Sequence, residues 1–263
     1  MCRRRKRKRL LMSAESERQT LLQHLTELRK RLLWSLLIMG AGMGICYMFV
    51  DPIYGFLVKP LAQSMGPDDS HRMIYTSLTE AFFTTMKVSF FAGIFLTFPF
   101  LLWQVWLFIA PGLYKNERRA FLPFIIATPF LFFLGGACLY YLILPMAWPF
   151  FLSFQTTSTE THLPIQLEAK ISEYLDFVMG LIFAFGLCFQ LPILLTLMGK
   201  AGMITAESLA ARRKYAIVII FVVAAFLTPP DVLSQVLLAV PLLLLYELSI
   251  FLVRHVQKPA KPL

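Results

Sequence analysis

Two carboxylates stand out in this 263-residue chain because each is a lone acid among bases. Glu27 sits in His24-Leu25-Thr26-Glu27-Leu28-Arg29-Lys30-Arg31, and Glu117 in Tyr114-Lys115-Asn116-Glu117-Arg118-Arg119. The plainest reading is local neutralisation, with Glu27 reaching Arg31 one helical turn on. Three further polar residues fall inside long apolar stretches: Lys87, Gln190 and Glu247. A charge at the centre of a bilayer costs about 2.5–3.5 kcal/mol on insertion scales, so each is a candidate for function. Lys87 lies near the end of its stretch, where a long side chain snorkels to the interface. For Gln190 and Glu247, interhelical bonding and ligand contact both remain open.

Catalytic chemistry finds little purchase. The four histidines (His24, His71, His162, His255) all lie outside the apolar stretches, so they build no metal site within a membrane. No G-x-S-x-G, H-E-x-x-H or phosphate-binding loop occurs. Nothing calls for a cofactor, and an enzyme is not expected. Cys2 lies in a basic tail and Cys46, Cys138 and Cys188 in apolar stretches, which fits small packing residues better than disulfides or zinc.

The elements that must carry these residues follow from composition. The chain is 58% hydrophobic and 15% charged, with a mean hydropathy of +0.68, whereas a soluble domain is nearer 45–50% apolar and a quarter charged. The fold expected is an all-α integral membrane protein. Residues 1–31 form a basic cytoplasmic head, 32–253 the transmembrane domain, and 254–263 a cytoplasmic tail. The run Arg3–Arg9 is followed by only Leu10, Leu11 and Met12 before polar residues resume, too short an apolar region for a secretory signal. Met12-Ser13-Ala14-Glu15 is an alternative start, which would make the first eleven residues an artefact.

Six spans are expected: Leu32–Val50, one within Ala81–Ala110, one within Ala120–Phe154, Tyr174–Gly199, a short one after Lys214, and Val232–Val253. Gly135-Gly136, Pro145 and Pro149 predict a kink in the third. The fifth has about 14–16 apolar positions before Thr228-Pro229-Pro230-Asp231, or roughly 21–24 Å of helix against a ~30 Å hydrocarbon core. It should be tightly linked to the sixth. Lys and Arg decide the orientation. The head holds 11, the 111–119 loop 3, the 200–214 loop 4 and the tail 3, against 3 in the opposite segments. Both termini are therefore expected in the cytoplasm. A net charge of +10 reflects this bias and not a nucleic-acid partner.

Several ordered blocks closely resemble TatC, the multispanning core of the bacterial twin-arginine translocase. His24–Leu32 resembles that family's H-L-x-E-L-R-x-R-L signature, and Phe108–Arg119 its F-x-x-P-x-L-Y-x-x-E-R-R block. Phe183-Ala184-Phe185-Gly186 before Gln190-Leu191-Pro192, then Leu227–Asp231 and Ser234-Gln235, continue the likeness. The resemblance implies a receptor in the bacterial cytoplasmic (inner) membrane for signal peptides with paired arginines. It also implies export of folded proteins, driven by the proton-motive force with single-span TatA and TatB, and self-association in the bilayer. Signal-peptide binding maps onto Glu27, Glu117, Arg29 and Phe108; Pro60, Gln190, Asp231, Gln235 and Glu247 are functionally sensitive positions. Related sequences often carry Glu where this chain has Gln190, and an amide cannot titrate. The alternative is a secondary transporter using Glu247 and Gln190, which internal repeats would favour; no convincing repeat is present.

Overall fold

The computed structural model describes residues 2–65, 72–109, 118–155, 167–228 and 232–257, with side chains throughout these except at 2–24, 106–109 and 118–123. Ten α-helices and one π turn account for most of them. In order they are α1 (Cys2–Met48), α2 (Val50–Met65), α3 (Glu80–Ile109), α4 (Arg118–Cys138), the π turn (Leu139–Ile143), α5 (Leu144–Leu152), α6 (Ile171–Cys188), α7 (Leu191–Lys200), α8 (Ala206–Ala211), α9 (Arg213–Leu227) and α10 (Val232–Val256).

Five stretches are long and apolar enough to cross a bilayer: Leu25–Met48, Glu80–Val105, Phe124–Leu152, Ile171–Lys200 and Val232–Val256. The short element expected before the last one is α9, whose 15 residues make about 22 Å of helix. That length falls below a full crossing, so five is the count that length and composition support. The basic head continues the first span as helix, because α1 runs unbroken from Cys2.

Prolines explain the irregularities. Pro145 has no N–H for the Tyr141 carbonyl, and its ring crowds that carbonyl. The chain answers with the π turn at Leu139–Ile143, keeping one continuous rod from α4 to α5. Pro192 likewise leaves the Cys188 carbonyl without its helical donor, and the fourth span breaks at Phe189 and Gln190. Half of that span is buried, against 11% of the first. The core therefore gathers around α6, where Leu175, Val178 and Phe185 are fully enclosed.

The first span is held differently. It lies along α3, where Gly42 and Gly93 bring two backbones together. A Cβ on Gly93 would stand 2.6 Å from the Met43 nitrogen, and one on Gly42 2.6 Å from the Thr97 methyl. Such small-residue crossings substitute close van der Waals packing for the hydrophobic drive that lipid removes.

Helix α2 carries Pro60 inside it. In a regular helix the Phe56 carbonyl would accept from residue 60, which here has no N–H. Tyr140, from the π turn, donates its hydroxyl to that carbonyl at 2.7 Å, and Tyr174 donates to the Leu57 carbonyl at 2.9 Å. The Phe56 and Tyr140 rings stack at 4.2 Å. Pro60 thus frees the acceptor through which α2 docks on the bundle. We expect Tyr140→Phe, which orphans that carbonyl, to destabilise the purified protein by about 1–3 kcal/mol. Tyr141→Phe, at a ring 70% exposed, should leave the thermal midpoint in detergent unchanged. Equal midpoints for the two variants would show that the tyrosine does not anchor α2.

Candidate functional site

Glu27 lies on α1, 15 residues before Gly42, and so about 22 Å along the helix from the glycine crossing. Its carboxylate pairs with Arg31 at i, i+4, as its sequence spacing predicted. Glu27 is still 38% exposed. Arg29 is exposed on the same helix, two residues on. Glu117 and Asp231 lie outside the described residues. Phe108 is in the last turn of α3, and its side chain is likewise outside them.

Gln190 sits at the break between α6 and α7 and donates its side-chain amide to the Thr128 carbonyl of α4 at 3.0 Å. Thr128 is buried and returns its own hydroxyl to the Phe124 carbonyl at 2.6 Å. Of the two readings open for Gln190, the geometry carries interhelical bonding: the amide stitches a broken helix to its neighbour.

Glu247 takes the same reading. It accepts from Arg213 at 2.8 Å, joining α10 to α9, with both side chains about half exposed. Close by, Tyr246 donates to the Leu209 carbonyl at 2.9 Å. Gln257 bridges the loop before α8, accepting from the Ala206 N–H at 3.2 Å and donating to the Ile204 carbonyl at 3.1 Å. At the other end of the hairpin, Gln235 donates to the Phe221 carbonyl at 3.0 Å. The α9–α10 pair is thus closed at both ends. Residues 229–231 between them fall outside the described residues.

Lys87 does not simply snorkel. Its ammonium meets Asp176 of α6 at 2.6 Å, with the two side chains 52% and 47% exposed. Asp176 escaped the sequence reading, although an acid five residues inside an apolar span is a signal in itself. The pair belongs to a clasp joining the N-terminal parts of α3 and α6. Ile74 donates to the Ala169 carbonyl and accepts from the Ile171 N–H, both at 3.0 Å. Glu80 accepts from the Thr76 N–H at 2.8 Å and from the Ser172 hydroxyl at 2.6 Å. Tyr140, Tyr174 and Thr128 were also missed. Their roles depend on which distant carbonyl they meet, and no spacing along the chain reports that.

Among the described residues, no group of three or more His, Cys, Asp or Glu side chains could hold a metal ion. What these elements offer is a set of interhelical polar ties and an exposed acid on a long helix. Breaking one partner of an ion pair leaves the other uncompensated, whereas removing both need not. Asp176→Leu should therefore lower the thermal midpoint in lipid nanodiscs, and Lys87→Met/Asp176→Leu should restore much of it. A double variant as unstable as the single would mean that the clasp does not rely on charge pairing.

Comparison with known proteins agrees with this architecture. The family model "Sec-independent protein translocase protein (TatC)" matches residues 23–241. A TatC from Magnetococcus marinus is 50% identical over 238 residues, covering 90% of this chain and 85% of that protein. One from Rickettsia prowazekii is 44% identical, covering 90% and 93%. A crystal structure of a twin arginine translocase receptor, TatC, superposes with a TM-score of 0.75 at 40% identity, over 89% of this chain and 99% of that one. With glycine-crossed, proline-broken helices and a match across most of its length, this chain belongs to the TatC family of multispanning translocase subunits.

Proposed function

We propose that the chain is the receptor and core subunit of a twin-arginine export system, binding Arg-Arg signal peptides with Glu27 and Glu117. It passes folded cargo across the bacterial inner membrane in concert with TatA and TatB, using the proton-motive force. The observation that carries the reading is Glu27 itself: a partly exposed carboxylate already gripping one arginine, in a stretch of α1 (24–31) where its charged neighbours are all bases. Arg presents a planar fork matched to a carboxylate, whereas Lys is a point charge on a flexible stem. A lone acid among bases therefore favours an arginine pair while its neighbours repel stray cations. No bond is made or broken in this binding.

Six spans with both termini cytoplasmic follow from counting α9 as a shortened crossing. The distribution of Lys and Arg supports this, because treating α9 as a crossing places the 111–119 loop, the 200–214 loop and both termini on one side. Gln190, neutral and hydrogen-bonded to Thr128, acts in this reading as a structural tie and not as a proton relay. Glu117, Phe108 and Asp231 are carried by the resemblance of their sequence blocks.

The test is photo-crosslinking of a twin-arginine signal peptide to the protein in membranes, with yield expressed per mole of inserted protein. Glu117→Gln keeps the shape of the side chain and loses charge-assisted bonds, each about twice as strong as a neutral one. It should sharply reduce yield while leaving level and topology intact. Glu27→Ala should act in the same direction, and the double variant should bind almost nothing. If Glu117→Gln still prefers Arg-Arg over Lys-Lys with undiminished yield, the receptor site lies elsewhere.

A further inference from the structure

A cavity of about 390 Å³ lies beneath α2, walled by the outer end of α1, by α3 and by the junction of α4 with the π turn. Its inner wall includes Leu57 and Ile182, which are 3% and 5% exposed. Its rim is open, with Phe56 47%, Leu96 53% and Tyr141 70% exposed. No charged residue lines it. The Tyr140 hydroxyl is engaged with the Phe56 carbonyl. Cys46, also in the wall, stands two residues before the end of α1. The cavity therefore opens sideways beside the C-terminal end of α1, where the chain passes into α2.

From this geometry we infer that the cavity is a binding site for one acyl chain of a phospholipid, with the lipid phosphate held at Lys59. At roughly 30 Å³ for a water-sized group, the space holds about a dozen methylenes in a row. Carbon walls complement a hydrocarbon tail and leave no polar group to satisfy. Charge supplies the argument for a phospholipid. Lys59 is exposed on α2, one turn from Phe56 on the rim, and forms no ion pair with a described residue. Residues three apart share a helix face, which places a cation above the mouth where a phosphate would sit. The inference does not depend on which cargo the protein exports.

The test uses the full chain in phosphatidylethanolamine–phosphatidylglycerol vesicles, with a phosphatidylglycerol probe carrying a diazirine midway along one acyl chain. After irradiation, adducts are mapped by peptide mass spectrometry. Peptides bearing Phe56, Phe95 and Tyr141 should be labelled several-fold above those from the exposed face of α9 around Ile219 and Phe226. Ala137→Trp, which fills the cavity, should bring the labelling down to the α9 level without changing α9. Ala92→Phe fills the same space from α3 and serves if the first variant does not fold. Lys59→Gln should reduce cavity labelling by this anionic probe. Labelling no stronger than on α9, or unchanged in both filled variants, would overturn the site, and unchanged labelling in Lys59→Gln would overturn the phosphate placement. A photoreactive residue at Tyr141 that captured a protein helix in place of lipid would overturn the choice of occupant.

Discussion

The contact between Gly42 and Gly93 sets where the acid of α1 stands. Lipid tails are as apolar as leucine, so nothing but close packing and hydrogen bonds holds one transmembrane helix to another. α1 is mostly unburied and lies against α3. At the crossing there is no room for a Cβ on either glycine without moving backbone or side chain. Glu27 rides on the far arm of that lever. Any change in the crossing is carried about 22 Å along a rigid helix to the carboxylate. The receptor role proposed for Glu27 therefore rests on two glycines about 22 Å from it.

A second constraint runs through the remaining helices. Within a bilayer, a carbonyl that loses its helical donor must find another inside the protein. Pro60 frees the Phe56 carbonyl, and Tyr140 takes it. Pro145 is absorbed by a π turn. At the break before Pro192, Gln190 does not serve the freed Cys188 carbonyl but donates across to the Thr128 carbonyl of α4. The same polar groups tie distant helices together, so irregular backbone and tertiary connection are one design. Pro60, Gln190 and Gln235 each are, or create, a link between helices. Arg213–Glu247 and Lys87–Asp176 add charge to that scheme at opposite ends of the bundle.

The sequence made much of this legible, through features that are local. The apolar stretches located the five long spans, the prolines of the third marked where its helix becomes irregular, as a π turn and not a break, and i, i+4 spacing anticipated Glu27 with Arg31. The 15-residue length of α9 follows from the apolar run between Arg213 and Thr228. What stayed hidden is whatever depends on partners distant in sequence. Lys87 read as a snorkelling side chain because its partner lies 89 residues away on another helix. The two readings of Gln190 could not be parted until the Thr128 carbonyl came into view. Nothing along the chain marked Tyr140 or Tyr174, yet their hydroxyls bond the Phe56 and Leu57 carbonyls of α2.

The most direct measurement compares Gly42→Val with Gly44→Val, two changes half a turn apart on α1. A Cβ at Gly42 meets the Thr97 methyl at 2.6 Å, whereas one at Gly44 meets nothing within 4 Å. Both leave Glu27 and Glu117 intact and alter helix propensity equally. Signal-peptide crosslinking per mole of inserted protein should fall severalfold in Gly42→Val and stay at the wild-type level in Gly44→Val. Undiminished crosslinking in Gly42→Val would contradict the account, because the acid on α1 would then be placed by something other than the glycine crossing.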